Sequence, residues 1–548
     1  MNKKFLILDC FVDEPACFGV PPFVSPYPRY VFGALLNAGA DAKSIRYITI
    51  ETLRESGYEL DDDYDMVFLI GGAVVPGKYL GHKIGTAPEV RKIMAQNRRQ
   101  KFAAGGLISR LLDGADNCVS VSHDIEKFAH GICAGQAVDT RRTYGELRRW
   151  ASAGAEVVRQ HPGYPNLICE IESYRGCPRL QHCSFCSEGV THDVEFRDAE
   201  DMICEVRALI GAGISRFRIG RQADILQYKT EFREYRSGFP RPEIAPVADL
   251  FSALKALRDR GDITTLNIDN ANPGTIANFP DESSAILEII ANTITPGDTL
   301  ALGVESFDPT VIRRNNLKVG EEDLIRVVRI VNEIGGARID GIPALLPGIN
   351  LIHGLIGESA DTFKMNYESL ARIRDMGLLV KRINIRKIMP FPGTPLAACY
   401  REPTIAVRNR YEFYRDRIRN EIDHFMLARV YPVGTVLKGV FIEDRQFEYS
   451  LGKQIASYSI TAKIPTALQQ GSFHDVIVAG HRERSVLALP FPIAINTLPA
   501  RAIATLPGIS KKGASDLVLR RPLRDLSETG DILANVPGAI TGAIRFDS

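Results

Sequence analysis

The sequence predicts an α/β protein of several domains, and three observations support that fold class. The chain has 548 residues, which is too long for one ordinary hydrophobic core. Two stretches, residues 1–145 and 167–400, alternate short apolar runs with helical patterns, as parallel sheets covered by helices do. Residues 430–492 instead carry short alternating strands with frequent glycines, which favours a small antiparallel barrel.

The first alternation predicts a doubly wound, Rossmann-like domain over residues 1–145. Its strand candidates are 5–8, 66–70, 101–104 and 118–121, with helices at 30–38 and 87–97. Gly71 and Gly72 directly follow a strand, where open α/β sheets bind ligands, although a tight turn explains the pair equally well. Because no Gly-x-Gly-x-x-Gly follows the first strand, a nicotinamide-binding fold has no support.

Composition and charge indicate a globular protein of a reducing compartment. Hydrophobic residues make up 45% and charged residues 24% of the chain, and the net charge of +1 argues against a surface built entirely for nucleic acid. Ten scattered cysteines do not predict a disulfide framework. No apolar run approaches the roughly 20 residues of a spanning helix, and the N-terminal run is too short for a signal peptide. We therefore expect a cytoplasmic protein without a membrane partner, and its oligomeric state stays open.

The second alternation predicts a partial or full α/β barrel within residues 146–400, entered through a connector helix over 141–160. Its six candidate strands are 167–171, 216–219, 264–268, 300–304, 349–355 and 382–388. In such barrels the chemistry collects at the carboxyl ends of the strands. A charged helical connector is predicted over 401–428, and the small barrel over 429–495.

Three cysteines, Cys177, Cys183 and Cys186, stand on a polar loop directly after the first of these six strands. Three thiolates on one loop suit a soft metal or an iron–sulfur cluster, and a four-iron cluster held by three cysteines leaves one iron open for a small molecule. A tetrahedral zinc site would need a fourth ligand. Because His182 and His192 lie nearby in the sequence, zinc stays open at this point.

Further candidate site segments follow the cysteine loop in the sequence, and most of them stand at the ends of predicted strands. Phe185 precedes the last cysteine of the loop. Later strand candidates are followed by polar or glycine-rich segments at 220–222, 303–306, 314–315, 354–358 and 389–395. Together with the cysteines, these segments resemble the motifs of radical S-adenosylmethionine (radical SAM) enzymes, and the matches cover about residues 160–400.

The resemblance implies a 4Fe–4S cluster on Cys177, Cys183 and Cys186, with S-adenosylmethionine as a second cofactor. In that family an apolar residue at the place of Phe185 contacts the adenine. The resemblance, with the strand-end positions, assigns the other cofactor contacts to Gly220, Arg221, Gln222, Asn270, Asn272, Glu305, Ser306, Asn315 and Gly357. It further implies that an electron from a ferredoxin- or flavodoxin-type donor cleaves S-adenosylmethionine, and that the resulting 5′-deoxyadenosyl radical abstracts hydrogen from a substrate.

This chain departs from the family pattern in two places. Five residues separate Cys177 from Cys183, where the family usually has three. The segment Gly220, Arg221 and Gln222 replaces the usual Gly-Gly-Glu, which binds the methionine amino group. We expect the Gln222 carbonyl to accept a hydrogen bond from that ammonium group, and Arg221 to pair with the methionine carboxylate.

The whole chain resembles a narrower group of radical SAM proteins, which have an N-terminal cobalamin-binding-like domain and a C-terminal helix-hairpin-helix. Cobalamin is therefore an open third cofactor for residues 1–145, although the usual Asp-x-His-x-x-Gly motif is missing. Residues 429–495 resemble the RNA-binding barrel of tRNA-methylthiolating enzymes, and 496–548 resemble a helix-hairpin-helix with two Pro-Gly turns. The resemblance implies RNA or DNA as a partner of residues 430–548, and protein–protein packing is the alternative.

Three functions stay open on the sequence alone. The first is radical modification of a nucleic acid, such as methylation of RNA with cobalamin as methyl carrier. The second is a radical reaction on a small molecule or a protein, with the C-terminal segments used for assembly. The third is a zinc-stabilised nucleic-acid adaptor without catalysis. A second three-cysteine cluster is missing from the sequence, which disfavours methylthiolation.

Overall fold

The computed structural model describes residues 3–72, 78–79, 81–112, 116–136, 141–191 and 193–546. The chain divides into two compact units. Unit 1 contains Met1–Ile294, Arg314–Asn316 and Ile388–Arg401, and unit 2 contains Thr295–Arg313, Leu317–Lys387 and Glu402–Ser548. Within the described residues, no helix is both long enough and apolar enough to cross a lipid bilayer.

Unit 1 begins with a five-stranded parallel sheet. Its strands are β1 (Phe5–Asp9), β2 (Ile45–Thr49), β3 (Met66–Ile70), β4 (Phe102–Gly105) and β5 (Cys118–Ser120). They stand in the order β5-β4-β3-β1-β2, so the winding reverses between β1 and β3. The predicted doubly wound sheet is confirmed. The sequence patterns missed β2, because it lies at the edge of the sheet, where exposed residues interrupt its apolar run.

Helices pack on both faces of this sheet, where two separate apolar cores form. They are α1 (Tyr27–Asn37), α2 (Ile50–Glu55), α3 (Ala87–Gln96) and α4 (Ile125–Ala134). The predicted connector helix is α5 (Tyr144–Ala153), which begins with a capping box between Thr143 and Glu146. It packs closely on α1, since a Cβ on Gly33 would lie 1.9 Å from the Trp150 carbonyl oxygen.

Asp9 ends β1 at the point where the winding of the sheet reverses, and it is buried. Its carboxylate accepts hydrogen bonds from the Phe11 N–H and from the Tyr47 hydroxyl, both at 2.9 Å. Burial raises the pKa of Asp9 from 3.8 to about 6, against the opposing effect of these two donors. The fold therefore favours the protonated carboxyl group.

We expect Asp9→Asn to stabilise the protein at about pH 8. The folded-state pKa lies above that of the unfolded chain, so the contribution of Asp9 to stability is complete below pH 3.8 and is lost as the pH rises through about 6. This loss lowers the free energy of unfolding by ~2–3 kcal/mol. The variant does not incur it, because its side chain carries no charge at either pH. The measurement is the urea midpoint of both proteins at about pH 4 and about pH 8. A difference of the same size at both pH values would contradict this expectation.

The second sheet of unit 1 contains the first three strands of the predicted barrel. They are β6 (Ile168–Glu172), β7 (Arg216–Gly220) and β8 (Thr265–Ile268), which run parallel in the order β8-β7-β6. The two-residue strand Phe23–Val24 pairs with the outer edge of β6. The helices of this region are α6 (Ala199–Gly211), α7 (Ile244–Asp259) and α8 (Pro280–Ala291). Because the strands are parallel, their carboxyl ends share one edge of the sheet.

Unit 2 contains the other three predicted barrel strands, β9 (Asp298–Glu305), β10 (Leu345–His353) and β11 (Arg382–Lys387). These strands are parallel neighbours in that order, and helices α9 (Glu321–Gly335) and α10 (Ala360–Asp375) connect them. A register shift between Gly303 and Glu305 ends the regular pairing of β9. All six predicted strands are therefore present, with three in each unit.

A closed five-stranded barrel follows in unit 2, after helices α11 (Ile405–Ile418) and α12 (His424–Val430) with a π-helical turn, Arg419–Asp423, between them. Its strands are β12 (Val436–Gln446), β13 (Tyr449–Gln454), β14 (Thr461–Ile464), β15 (Phe473–His481) and β16 (Ser485–Pro490). The small barrel is confirmed, but the purely antiparallel pairing is wrong. Strands β14 and β16 pair in parallel, because the reversed β15 separates them in the sequence.

The C-terminal residues form short helices around two Pro-Gly turns. They are α13 (Ala500–Ile503), α14 (Lys511–Leu519), a 3-10 segment at Leu526–Leu533 and α15 (Gly538–Thr541). The two turns pack together, since a Cβ on Gly508, whose φ is 84°, would lie 3.0 Å from the Asn535 carbonyl oxygen. The helix-hairpin-helix remains a prediction for this segment.

Candidate metal centre and cofactor site

The three cysteines lie on the loop that follows β6 in unit 1. Cys183 is buried, and Cys177 and Cys186 are half-buried. The loop folds back on itself, because the Cys186 N–H donates to the Cys183 carbonyl oxygen at 3.2 Å. Burial raises the pKa of the Cys186 thiol, and the neighbouring Cys183 and Cys177 raise it further. The three thiols therefore share one electrostatic neighbourhood.

Arg179 brings positive charge into the cysteine loop. Its Nη1 donates to Cys183 Sγ at 3.2 Å, and its Nη2 donates to the Asn316 carbonyl oxygen at 3.0 Å. The guanidinium group lies over Phe239, with 4.7 Å between Cζ and the ring centroid. Arg179 therefore fixes the position of one of the three sulfurs against the rest of the loop.

In the described part of the chain, no three His, Cys, Asp or Glu side chains are grouped so as to hold one metal ion. Zinc needs such a group around a single atom, whereas the cysteines of a four-iron cluster bind separate irons. Two histidines near the cysteines in the sequence, His182 and His192, were candidate zinc ligands. The Nε2 atom of His182 lies 3.1 Å from the Cys177 carbonyl oxygen. His192 lies outside the described residues.

Gly176 and Glu188 hold the two ends of the cysteine loop together. The Gly176 N–H donates to Glu188 Oε1 at 2.9 Å. Gly176 has a φ of 82°, and a Cβ at this position would lie 2.6 Å from the Asp193 carbonyl oxygen. Position 176 therefore requires glycine, since any side chain would push the loop open.

Arg221 follows β7 and is completely buried against acidic and phenolic partners. Its Nη1 donates to Glu188 at 2.9 Å, and its Nε donates to the Tyr27 hydroxyl at 2.9 Å. Arg221 therefore connects the cysteine loop, through Glu188, to β7 and to the start of α1. The predicted pairing of Arg221 with a methionine carboxylate would have to compete with these contacts.

The other two residues of this segment are also engaged within the protein. Gln222 Oε1 accepts from the Ser173 hydroxyl at 3.1 Å, and its Nε2 donates to the Ile219 carbonyl oxygen at 3.2 Å. A Cβ on Gly220 would lie 2.7 Å from Glu170 Oε1, so the missing side chain makes room for that carboxylate. The segment therefore packs the strand ends together in this structure.

Sequence reasoning missed a buried chain of charges across β6, β7 and β8. Arg218 on β7 donates to Glu170 Oε2 on β6 at 2.6 Å and also to Asp269, which follows β8. Burial raises the pKa of Glu170 to about 7, although Arg218 opposes the shift. The available signal was a charged residue in the middle of each of two strands, at Glu170 and Arg218.

A second buried network joins the first domain to the start of the cysteine loop. Arg142 donates to Glu126 of α4 at 2.8 Å and to Glu172, the last residue of β6, at 2.7 Å. Burial disfavours charge on Glu172, but Arg175 and Arg142 outweigh it and hold the pKa of Glu172 well below its usual range. An ionised Glu172 therefore anchors the strand end from which the loop departs.

Asn315 and Leu396, which directly follows the predicted segment 389–395, both contact the middle of the cysteine loop. Asn315 Oδ1 accepts from the Ser184 hydroxyl at 2.6 Å, and the Asn315 carbonyl oxygen accepts from the Ser184 N–H at 3.1 Å. The Leu396 N–H donates to the Ser184 carbonyl oxygen at 2.9 Å. Phe185, the next residue, is half-buried. The structure therefore places the predicted residue Asn315 beside the cysteine loop, which itself carries Phe185.

Asn270 and Asn272 make contacts of their own beyond the end of β8. Asn270 Nδ2 donates to the Pro15 carbonyl oxygen at 2.8 Å. Asn272 Oδ1 accepts from the Gly274 N–H at 3.1 Å and thereby caps the short helix Pro273–Asn278. The Asn272 amide thus has a local structural role in addition to any contact with a cofactor.

Glu305, in unit 2, combines burial, strain and an unsatisfied oxygen. It ends β9 with a φ of 70°, which is rare for a residue other than glycine. Oε1 accepts from Lys318 Nζ at 3.4 Å, whereas Oε2 is buried and has no hydrogen-bond partner among the described residues. Burial raises the pKa of Glu305, and Lys318 opposes the shift. A buried acceptor without a donor is costly, which indicates a ligand hydroxyl at this place.

The other predicted residues of unit 2 lie on turns. The Ser306 hydroxyl accepts from the Asp308 N–H at 3.2 Å and is 3.4 Å from Asn366 Oδ1. Gly357 has a φ of 87° in the turn after β10, where a side chain would be strained.

We expect Glu305→Gln to weaken the binding of S-adenosylmethionine about tenfold, since one charge-assisted hydrogen bond is lost. The size and shape of the side chain are kept, so the cluster content should not change. Isothermal titration with the reconstituted protein measures the affinity. Glu322→Gln on α9 is the control, because this residue is exposed and pairs with Arg372 on the surface. Equal affinities of both variants would contradict a ligand contact at Glu305.

Comparisons with known proteins found relatives that match nearly the whole chain. No protein-family model matches the chain. An uncharacterized protein of Methanocaldococcus jannaschii is 38% identical over 511 residues, which cover 89% of this chain and 93% of that protein. One of Archaeoglobus fulgidus is 35% identical over 526 residues, which cover 95% and 96%.

The solved structures that resemble this chain include cobalamin-dependent radical SAM enzymes. The methyltransferase TsrM from Kitasatospora setae, with cobalamin and a 4Fe–4S cluster bound, is 14% identical, covers 72% of this chain and 77% of its own, and has a TM-score of 0.49. The enzyme OxsB, with cobalamin and S-adenosylmethionine bound, is 14% identical, covers 78% and 58%, and has a TM-score of 0.43. With more than a third of its residues identical to the first relative over nearly its whole length, this chain belongs to one family with the Methanocaldococcus and Archaeoglobus proteins.

Proposed function

We propose that this chain is a radical SAM enzyme that holds a 4Fe–4S cluster on Cys177, Cys183 and Cys186. The gathering of three thiols on the loop after β6 carries the proposal, because three sulfurs suit a cluster with one open iron. The contact between Arg179 and Cys183 supports it by holding one of the three sulfurs in place. All ten cysteines are free thiols, which supports a reducing, cytoplasmic setting.

When bound, the cluster would supply one electron, received from a ferredoxin- or flavodoxin-type donor, to cleave a C–S bond of S-adenosylmethionine into methionine and a 5′-deoxyadenosyl radical. The residues of this chain have positioning roles in that chemistry. Arg179 holds the Cys183 sulfur, and the pair of Arg221 and Glu188 keeps the loop against β7. Phe185, on the cysteine loop of unit 1, would offer an apolar surface to the adenine. In unit 2, Glu305 Oε2 would accept a hydroxyl group of a ligand.

Anaerobic reconstitution tests the proposal. Protein reconstituted with iron and sulfide is mixed with S-adenosylmethionine and dithionite, and 5′-deoxyadenosine is measured by chromatography. We expect cluster absorbance together with 5′-deoxyadenosine. Stoichiometric zinc with neither of these signals would refute the enzyme and favour the adaptor without catalysis.

We propose cobalamin as a further cofactor of residues 1–145. Doubly wound sheets bind ligands where the winding reverses, which is between β1 and β3 here. Nearby in the same domain, His82 Nδ1 lies 2.6 Å from Glu51 Oε2, an arrangement that orients metal-binding histidines. Protein purified after growth with cobalamin should retain corrinoid, and purification without any corrinoid would contradict this part of the proposal.

We propose RNA as the substrate class, bound through the barrel at 429–495 and the helix-hairpin-helix at 496–548. Phe441 and Phe473 pair on adjacent barrel strands with 5.1 Å between ring centroids, and Phe473 is 43% exposed, as a base-stacking surface requires. The alternative, in which these segments serve assembly, predicts no salt-sensitive RNA binding. Anisotropy of a labelled RNA with the full-length protein at increasing salt distinguishes the two.

A further inference from the structure

A cluster of arginines in unit 2 lies around the start of β11, apart from the residues assigned to the cofactors. Its members are Arg382 on β11, Arg419 and Asp423 in the π-helical turn, Tyr458 in the loop after β13, and Arg484 in the turn before β16. The side chains come from four different elements, so only the tertiary structure brings them together.

Arg382 lies on the polar face of β11. Strand alternation puts Arg382 and Asn384 on one face and Ile383 on the other. On β10, the partner of Arg382 is Gly348, where a Cβ would lie 2.6 Å from Thr299 Cγ2. The Arg382 Cζ lies 4.9 Å from the Tyr458 ring centroid, and its Nε is buried with no hydrogen-bond partner among the described residues. A buried donor without an acceptor indicates a missing acceptor.

The π-helical turn brings Asp423 to Arg382, and Arg419 of the same turn lies near Arg484. Such turns are rare, and they occur frequently at functional sites. The backbone of Ile383 on β11 acts to lower the pKa of Asp423, so this part of the turn lies beside β11. His424, the next residue, has Nδ1 at 3.1 Å from the Arg482 carbonyl oxygen, which holds the turn against the β15–β16 hairpin.

The cluster has an excess of positive charge. Burial raises the pKa of Asp423 to about 6, although Arg484, Arg382 and Arg419 oppose the shift. Burial lowers the pKa of Arg419, and the like charge of Arg484 adds to this effect. Asp416 is a second acid near Arg419, at 4.0 Å, but it is exposed to solvent, which screens the pair. Three guanidinium groups therefore act on one carboxylate, that of the half-buried Asp423.

We propose that Arg382, Arg419 and Arg484 form a binding site for a phosphate-type oxyanion of the substrate. Guanidinium groups bind phosphate oxygens in a bidentate manner, and an anion would satisfy Arg382 Nε and offset the repulsion among the three cations. Because Arg484 is exposed, the site is accessible from solvent. The inference rests on the proposed function for its ligand, since an RNA phosphodiester and a small phosphate ester would both present this group.

The test uses the full-length protein with two probes, inorganic pyrophosphate and a fluorescein-labelled RNA oligonucleotide. Arg419→Gln and Arg484→Gln are made singly and together. Arg410→Gln is the matched control, because Arg410 is an exposed arginine of α11 outside the cluster. Titration calorimetry measures pyrophosphate binding, anisotropy measures RNA binding, and circular dichroism verifies the fold.

We expect each single variant to weaken pyrophosphate binding about tenfold, as for the loss of one charge-assisted contact, and the control to keep it. RNA binding that weakens in parallel and is competed by pyrophosphate identifies a phosphodiester as the ligand. RNA binding that is unchanged, with weaker pyrophosphate binding, identifies a small phosphate ester. Wild-type pyrophosphate affinity in the double variant, or an equal loss in Arg410→Gln, would overturn the site.

The failure of this site and the failure of the proposed function give different results. Formation of 5′-deoxyadenosine without substrate is measured on the same proteins. If none forms, while pyrophosphate binding still depends on Arg419 and Arg484, the radical reaction is refuted and the anion site stands. If it forms, while pyrophosphate binding is insensitive to both substitutions, only the anion site is refuted.

Discussion

Cys183→Ala is expected to abolish assembly of the cluster, and with it all formation of 5′-deoxyadenosine. Cys183 is one of three proposed ligands, and it is the buried one that Arg179 contacts at 3.2 Å. Stable binding of the cluster needs at least three thiolates. The substitution leaves only two of the proposed ligands, so the cluster should not assemble. After anaerobic reconstitution, iron should fall from about four per chain to below about one. Iron and sulfide assays, with chromatography of the reaction products, measure both effects.

Cys399→Ala is the matched control for this substitution. Cys399 is an exposed cysteine of the same unit. It lies after the segment 389–395 and not on the cysteine loop. We expect this variant to retain iron and to form 5′-deoxyadenosine at the wild-type rate. If Cys183→Ala kept its full iron content, the cluster would have to bind elsewhere.

Glu188→Ala is expected to destabilise the protein by ~3–5 kcal/mol, which is typical when one partner of a buried ion pair is removed. The side chains of Glu188 and Arg221 are 4% and 1% exposed, so water does not replace the lost carboxylate. Gly176 would also lose the acceptor of its N–H, at the base of the cysteine loop. We therefore expect faster loss of the cluster to a chelator, in addition to a lower urea midpoint.

A surface ion pair provides the comparison for Glu188→Ala. Lys255 and Asp259 pair along α7 at 2.7 Å, with side chains 47% and 61% exposed. Asp259→Ala should change the free energy of unfolding by less than ~1 kcal/mol, because solvent screens the pair. Similar urea midpoints for the two variants would mean that the pair of Glu188 and Arg221 contributes no more than a surface contact.

The five-residue gap between the first two cysteines has a structural explanation. The gap contains Arg179, whose guanidinium group donates to Cys183 Sγ and to the Asn316 carbonyl oxygen. The extra length of the loop therefore carries a cation to the sulfur. The sequence alone showed the longer spacing, but it did not show which residue of the gap turns inward.

Strand boundaries illustrate the limits of local patterns. The fourth strand of the second alternation was predicted at 300–304 and is Asp298–Glu305, and the fifth was predicted at 349–355 and is Leu345–His353. Pro347 lies within the fifth strand and concealed its start. In the small barrel, β14 begins only at Thr461, because Tyr458 has a φ of 52° and interrupts the extended chain before it.

The sequence by itself determined the elements of this protein and the motif at its centre. Apolar periodicity and strand length are local properties, so the doubly wound sheet, the six strands of the second alternation and the small barrel were all visible in the pattern. The position of Cys177, Cys183 and Cys186 after the first of those six strands was visible as well.

Only the tertiary structure decided what the charged side chains do. Arg221 meets Tyr27, which is 194 residues away in the sequence, and Glu188, which is 33 residues away. No local pattern encodes such pairs, because they depend on which elements pack together. The same reason applies to the unsatisfied oxygen of Glu305 and to the arginine cluster at Arg382, since burial and partners are properties of the folded chain.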